Sequence, residues 1–139
     1  VGLGITLALL VVAIFFQIRA KQFHPALFWI AIVATTTAGT EISDLMDRTL
    51  NIGYSGGSLI LTICLLATLT IWYRRDENLS VDPITKTDAE IMFWIAVVFS
   101  NSLGTAFGDF LVDVAGMGYV VAAIICTAVI GLVWLLAYT

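Results

Sequence analysis

The chain has 139 residues, 60% of them hydrophobic and 12% charged, with a mean hydropathy of +1.04; an ordinary soluble domain has roughly 45–50% and about 25%. A soluble globule is excluded. Six Lys plus Arg against ten Asp plus Glu leave no basic patch, which excludes nucleic-acid binding, and the net charge of −4 specifies no other partner.

A helix needs about 20 apolar residues to cross a bilayer. On that measure five spans are predicted, at 1–18, 26–47, 55–73, 91–112 and 119–138, with the termini on opposite sides. The first span opens at Val1 in an apolar run, without an initiator Met and without the basic n-region or cleavage motif of a signal peptide. It reads as part of something longer. A charged break from Arg19 to Pro25 follows, with His24 as a loop residue. The second span ends in a small, uncharged break from Asn51 to Gly57. The third ends in a charged one from Tyr73 to Glu90, whose polar stretch 76–88 is expected to connect helices over one membrane face. The last break, Gly116 to Tyr119, is again small and uncharged.

Five of the six basic residues fall in the two charged breaks. The positive-inside bias therefore predicts that 19–25 and 74–90 face the cytoplasm. Trp29, Trp72 and Trp94, with Tyr73, flank these breaks and are expected to anchor the helices at the interface. Cys64 and Cys126 lie inside apolar stretches with no CxxC and no neighbouring His, and read as buried thiols.

The chain repeats itself. At an offset of 65 residues, FWIAIV (Phe28 to Val33) falls on FWIAVV (Phe93 to Val98), and GTEISDLMDRTLNIGY (Gly39 to Tyr54) falls on GTAFGDFLVDVAGMGY (Gly104 to Tyr119) without a gap. Identity at Gly-Thr, at the Asp four residues on and at the later Gly-Tyr indicates a duplication. The division is 25–75 as copy A, 76–89 as a loop, 90–139 as copy B and 1–24 as the returning helix of an incomplete preceding copy. Each copy makes two crossings, so the copies share one orientation about an axis along the membrane normal. The predicted fold is all-α: a transmembrane bundle of tandem two-helix repeats in parallel orientation.

At i, i+4 spacing the entering helices carry Thr36, Thr40, Asp44 and Arg48 in copy A and Asn101, Thr105, Asp109 and Asp113 in copy B. Ionisable groups in a span avoid hydrocarbon, so the two stripes are expected to meet or to line a common space. Glu41 and Asp47 add acid to copy A alone, since Ala106 and Val112 hold those places in copy B. At 1.5 Å per residue, Asp44 lies about 22 Å along the helix from Trp29, in the outer third of a bilayer core of roughly 30 Å. Two readings are open. Asp44 and Asp109, supported by Thr40, Thr105, Glu41 and Asn101, could bind a proton or a hard cation; or they could serve as hydrogen-bonding groups for the turns, with Arg48 and Asp113 pairing the copies. Gly39, Gly104, Gly108, Gly53 and Gly57 read as close-packing positions between helices.

At the FWIA, Gly-Thr-x-x-x-Asp and Gly-Tyr elements the chain resembles a family of bacterial integral membrane proteins built of tandem copies, typically four, of a repeat of unknown function. The resemblance implies a central fragment holding the end of one copy and two whole ones, in the bacterial cytoplasmic membrane, with the recurrent acid at Asp44 and Asp109. The functional expectation is a small secondary transporter or permease for a cation or proton; the alternative is a non-catalytic accessory subunit of a larger membrane complex. No nucleophile with a base, metal-ligand cluster or cofactor motif is visible, so neither enzyme activity nor a cofactor is expected. Lipid, other membrane subunits and further copies of the chain are the expected partners.

Overall fold

The structure is a computed structural model that describes residues 2–20, 22–77 and 87–139. Among these, five helices and no strands occur: α1 (Gly2–Arg19), α2 (Pro25–Asp44), α3 (Gly53–Asp76), α4 (Thr87–Asp109) and α5 (Tyr119–Ala137). All five are long and apolar enough to cross a membrane, where a helix is the only open segment that satisfies its own backbone. This is a multi-pass membrane protein. Pro25 opens α2 at its first helical position, where no N–H is needed. Both α3 and α4 extend past the expected spans into the charged break. Arg74 and Arg75 are good helix formers, and Asp88 and Glu90 lie in the first turn of α4, near its free N–H groups. The expected connecting loop falls mainly on residues 78–86, outside the described residues.

The duplication reappears in the backbone. α2 and α4 end 65 residues apart, and each continues into a single π-helical turn, Leu45–Thr49 and Phe110–Val114. Each π-turn closes alike: the Leu50 amide donates to the Leu45 carbonyl and Ile52 to Met46, as Ala115 donates to Phe110 and Met117 to Leu111. Both need a left-handed residue, Asn51 (φ 53°) in copy A and Gly116 (φ 67°) in copy B. Asn tolerates this conformation and branched or bulky residues do not. Asn51→Leu is accordingly expected to cost about 1 kcal/mol and Asn51→Gly almost nothing, read as thermal midpoints of the purified protein; equal midpoints for both variants would show that the turn does not need this geometry.

α2 and α4 lie side by side and run the same way, because contact partners rise together along both: Thr35 meets Asn101, and Thr40 meets Thr105. Identical positions of parallel copies meet where a twofold axis passes between them, so the Thr40–Thr105 contact places that axis along the two helices. The returning helices pack less obviously. α1 packs on α2 and α3 packs on α4, whereas α3 reaches its own copy mainly at the π-turn and α5 touches mainly the second π-turn. α1 and α3 thus each pack against the entering helix that follows them in sequence. The two copies are sequence units, not separate compact bodies.

Trp72 and Trp94 correct the expectation that all the flanking tryptophans are interface anchors. They are 4% and 2% exposed, while Trp29, the repeat equivalent of Trp94, is 63% exposed. Trp94 sits in a cluster with Ala13 and Ala31, closed by Ile14, Phe28, Ile32 and Phe93. The reason is position in the bundle: Trp94 faces α1 and α2, which supply Ala13, Ile14, Phe28, Ala31 and Ile32 to its cluster, whereas its counterpart on α2 points outward. Exposed Trp29 and Tyr73 fit the anchoring role. The other large outward side chains of α1 and α5, such as Leu9, Phe16, Ile124 and Leu136, form the apolar surface a bilayer requires.

Candidate functional site: the polar seam and its turn end

The seam between α2 and α4 begins at Thr35. Its hydroxyl donates to the Ile32 carbonyl at 2.7 Å and accepts from the Asn101 amide at 3.2 Å. One turn on, Gly39 lies against Asn101 and Ser102: a Cβ at Gly39 would come within 2.8 Å of the Asn101 Cβ and 2.9 Å of the Ser102 backbone nitrogen. Only glycine allows this approach. Thr40 and Thr105 then meet hydroxyl to hydroxyl at 3.5 Å, each also donating to the carbonyl four residues before it.

The face of α2 turned to α4 is therefore Thr35, Ala38 and Gly39, all buried, and the expected stripe residue Thr36 is exposed and donates to the Ile32 carbonyl. Such back-bonding satisfies a threonine without a neighbour. Of the five expected packing glycines, Gly39 and Gly57 are pressed against neighbours. Gly53, Gly104 and Gly108 have nothing within 4 Å of a Cβ; Gly53, at φ 80°, serves the turn.

The acids gather at the turn end of the seam. Asp44 pairs with Arg48 on its own helix, with 3.7 Å between Oδ1 and Nε. Arg48 is therefore not in a direct pair with Asp113. Tyr54, at the start of α3, stands between them, interacting with Arg48 on one side and Asp113 on the other. Asp109 comes within electrostatic reach of Asp44, Asp47, Arg48 and Asp113, so the duplicated acids of the two copies do converge. Their settings differ: Asp44 has Arg48 one turn on, and Asp109 has Asp113 there. Glu41 turns instead toward the start of α1, where a Cβ at Gly2 would lie 3.3 Å from its Oε1. Among the described residues no group of three or more His, Cys, Asp or Glu is placed to hold a metal ion.

The sequence reading missed Thr35, Ser43, Ser102 and Tyr54. Thr35 sits in a run of three threonines whose helical phase the spacing left open. Ser43 is wholly buried and donates to Asp47 at 3.2 Å, and Ser102 is wholly buried beside Gly39.

The family described as Repeat of Unknown Function (DUF347) matches residues 27–78 and 92–139, the two halves that the 65-residue offset superimposes. The chain belongs to this family. The family boundaries enclose the seam-forming parts of both entering helices, both π-turns and both duplicated acids, so the seam is built from the repeat itself and not from an added segment. No curated protein and no solved structure matches the chain.

Proposed function

We propose that this protein is a small secondary transporter that moves protons through the turn end of the α2–α4 seam, with Asp109 as the proton-exchanging carboxylate. The observation that carries this reading is the convergence of Asp44 and Asp109 from parallel copies around one cation, Arg48. Duplicated ionisable groups between repeats are a common way to build a transport site. Arg48 already neutralises Asp44, which favours a proton over a metal ion as the partner for Asp109. Thr40 and Thr105 donate to backbone carbonyls and meet each other, and the Asn101 amide donates to Thr35, so in this reading they hold the seam in register and do not serve as ligands. The charged breaks 19–25 and 74–90 face the cytoplasm of a bacterial inner membrane, which places the acid cluster toward the outer face.

The test is proton flux into liposomes that contain the purified chain and an interior pH dye, after a pH jump. Asp109→Asn is expected to cut the rate by about tenfold or more, a factor worth about 1.4 kcal/mol, and Asp44→Asn by less. A second reading, an accessory membrane subunit, is favoured by the close fit at Gly39 and the Thr35–Asn101 bond, which use seam polarity as glue. Absence of flux in the wild-type chain, with Asp109→Asn equally stable, would move the conclusion to that reading.

A further inference from the structure

Beside the Asp44–Asp109 cluster lies a separate polar site made of Ser43, Asp47 and Gly57. Asp47 belongs to the first π-turn and is only 8% exposed. Its Oδ2 accepts the Ser43 hydroxyl, and its Oδ1 has no hydrogen-bond partner among the described residues. Gly57, on α3, closes the site: a Cβ there would overlap the Asp47 Oδ1. The helix thus lies on the carboxylate as only glycine permits.

Among the described residues no cation lies within ion-pair distance of Asp47, and Arg48 acts on it only from further away. Along its own stretch stand Asp44 and Arg48, and from α4 Asp109. Arg48, the one cation among them, is held by Asp44. From α3 the ionisable group nearest the turn is Tyr54, which engages Arg48 and Asp113. Burying an ionised carboxylate without a paired cation is so costly that such groups take up a proton instead.

The second copy provides an internal comparison. At the three equivalent positions it has Gly108, Val112 and Ala122, the last of them buried. All three changes agree physically. With Val in place of Asp no hydroxyl is needed to bond a carboxylate, and with no carboxylate oxygen at the contact the returning helix can carry a Cβ. The acid, its hydroxyl and its glycine behave as one unit that copy A has and copy B lacks.

We propose that Asp47 is a proton-binding site, holding one proton on its carboxyl group while α3 is docked on it through Gly57 and Ser43 fixes its orientation. The reaction is simple: a carboxylate oxygen gains a proton, no other bond forms or breaks, and the site becomes neutral. Asp47 is a site apart from the Asp44–Asp109 pair, and its proton does not depend on transport.

Infrared difference spectroscopy of the full chain in lipid vesicles, taken across a pH titration, tests this. The wild-type chain is expected to show a protonated-carboxyl carbonyl band near neutral pH that Asp47→Asn removes and that Asp44→Asn and Asp109→Asn retain. A second variant, Ser43→Gly with Asp47→Val and Gly57→Ala, rebuilds copy A as copy B; because copy B packs with those residues, this chain is expected to fold and also to lack the band. Superimposable carbonyl spectra for the wild type and both Asp47 variants would overturn the proposal. A band lost in these variants without any proton flux would leave Asp47 in place and overturn only the transport reading.

Discussion

Gly39→Leu is expected to unfold the α2–α4 seam, with a loss of about 3 kcal/mol or more, the upper end of what overpacking a fitted contact costs. At Gly39 even a methyl group would meet the Asn101 Cβ and the Ser102 backbone nitrogen at under 3 Å, and a backbone atom cannot rotate aside as a side-chain tip can. The helices must separate, and the Asn101–Thr35 bond and the Thr40–Thr105 contact on either side of the glycine separate with them. Gly104 is the same residue of the same motif in copy B, yet has nothing within 4 Å. Gly104→Leu is therefore expected to be nearly silent. Unfolding both variants in mixed micelles of rising denaturing detergent measures the difference; an equal loss at the two glycines would mean that the crossing does not lie at Gly39.

The tryptophans of the repeated FWIA element make the second contrast. Trp94→Ala is expected to cost about 3 kcal/mol, the lower end for a buried Trp→Ala change, and Trp29→Ala no more than about 0.5 kcal/mol. Lipid is as apolar as the protein interior, so transfer out of water contributes little to helix association here. What remains is the void, since deleting the Trp94 ring empties a space walled by Ala13 of α1, by Phe28 and Ala31 of α2 and by Phe93. Trp29 leaves no void because bilayer chains replace it. The same detergent titration decides this; comparable losses at both positions would mean that Trp94 is not enclosed between α1 and α2.

Much of the architecture was legible before any coordinates, and the reason is the solvent. In lipid a long apolar run has few alternatives to a helix, so the number of crossings followed from Gly2–Arg19, Gly53–Asp76 and the others being nearly free of charge. The offset between FWIAIV and FWIAVV then fixed the parallel orientation. Rotation about each axis was less legible. Three consecutive threonines, 35 to 37, fit several helical phases, and only the Gly39 contact chooses Thr35 over Thr36 for the seam. The π-turns carry no composition that separates them from an α-helical end, and each alters the phase of the residues beyond it. Arg48 was set one turn after Asp44 by the spacing and pairs with it, and Tyr54, from the returning helix, stands between Arg48 and Asp113, which no spacing within one helix could show. The Ser43, Asp47 and Gly57 unit was visible in principle, as three joint differences between otherwise matched copies, but its meaning required knowing that the three positions touch.

Running in parallel has an electrical result. The peptide dipoles of a helix add up to about half a negative charge at its carboxyl end, and α2 and α4 present that end on the same side of the bundle, at the two π-turns. The returning helix α3 runs the other way and brings its amino end, at Gly53, to the same side, where its dipole offsets part of that charge. The two carboxyl ends still fall beside Asp44, Asp109 and Asp113, against which Arg48 is the single cation of the cluster among the described residues. With three carboxylates against one guanidinium, that end of the bundle favours the approach of cations over anions.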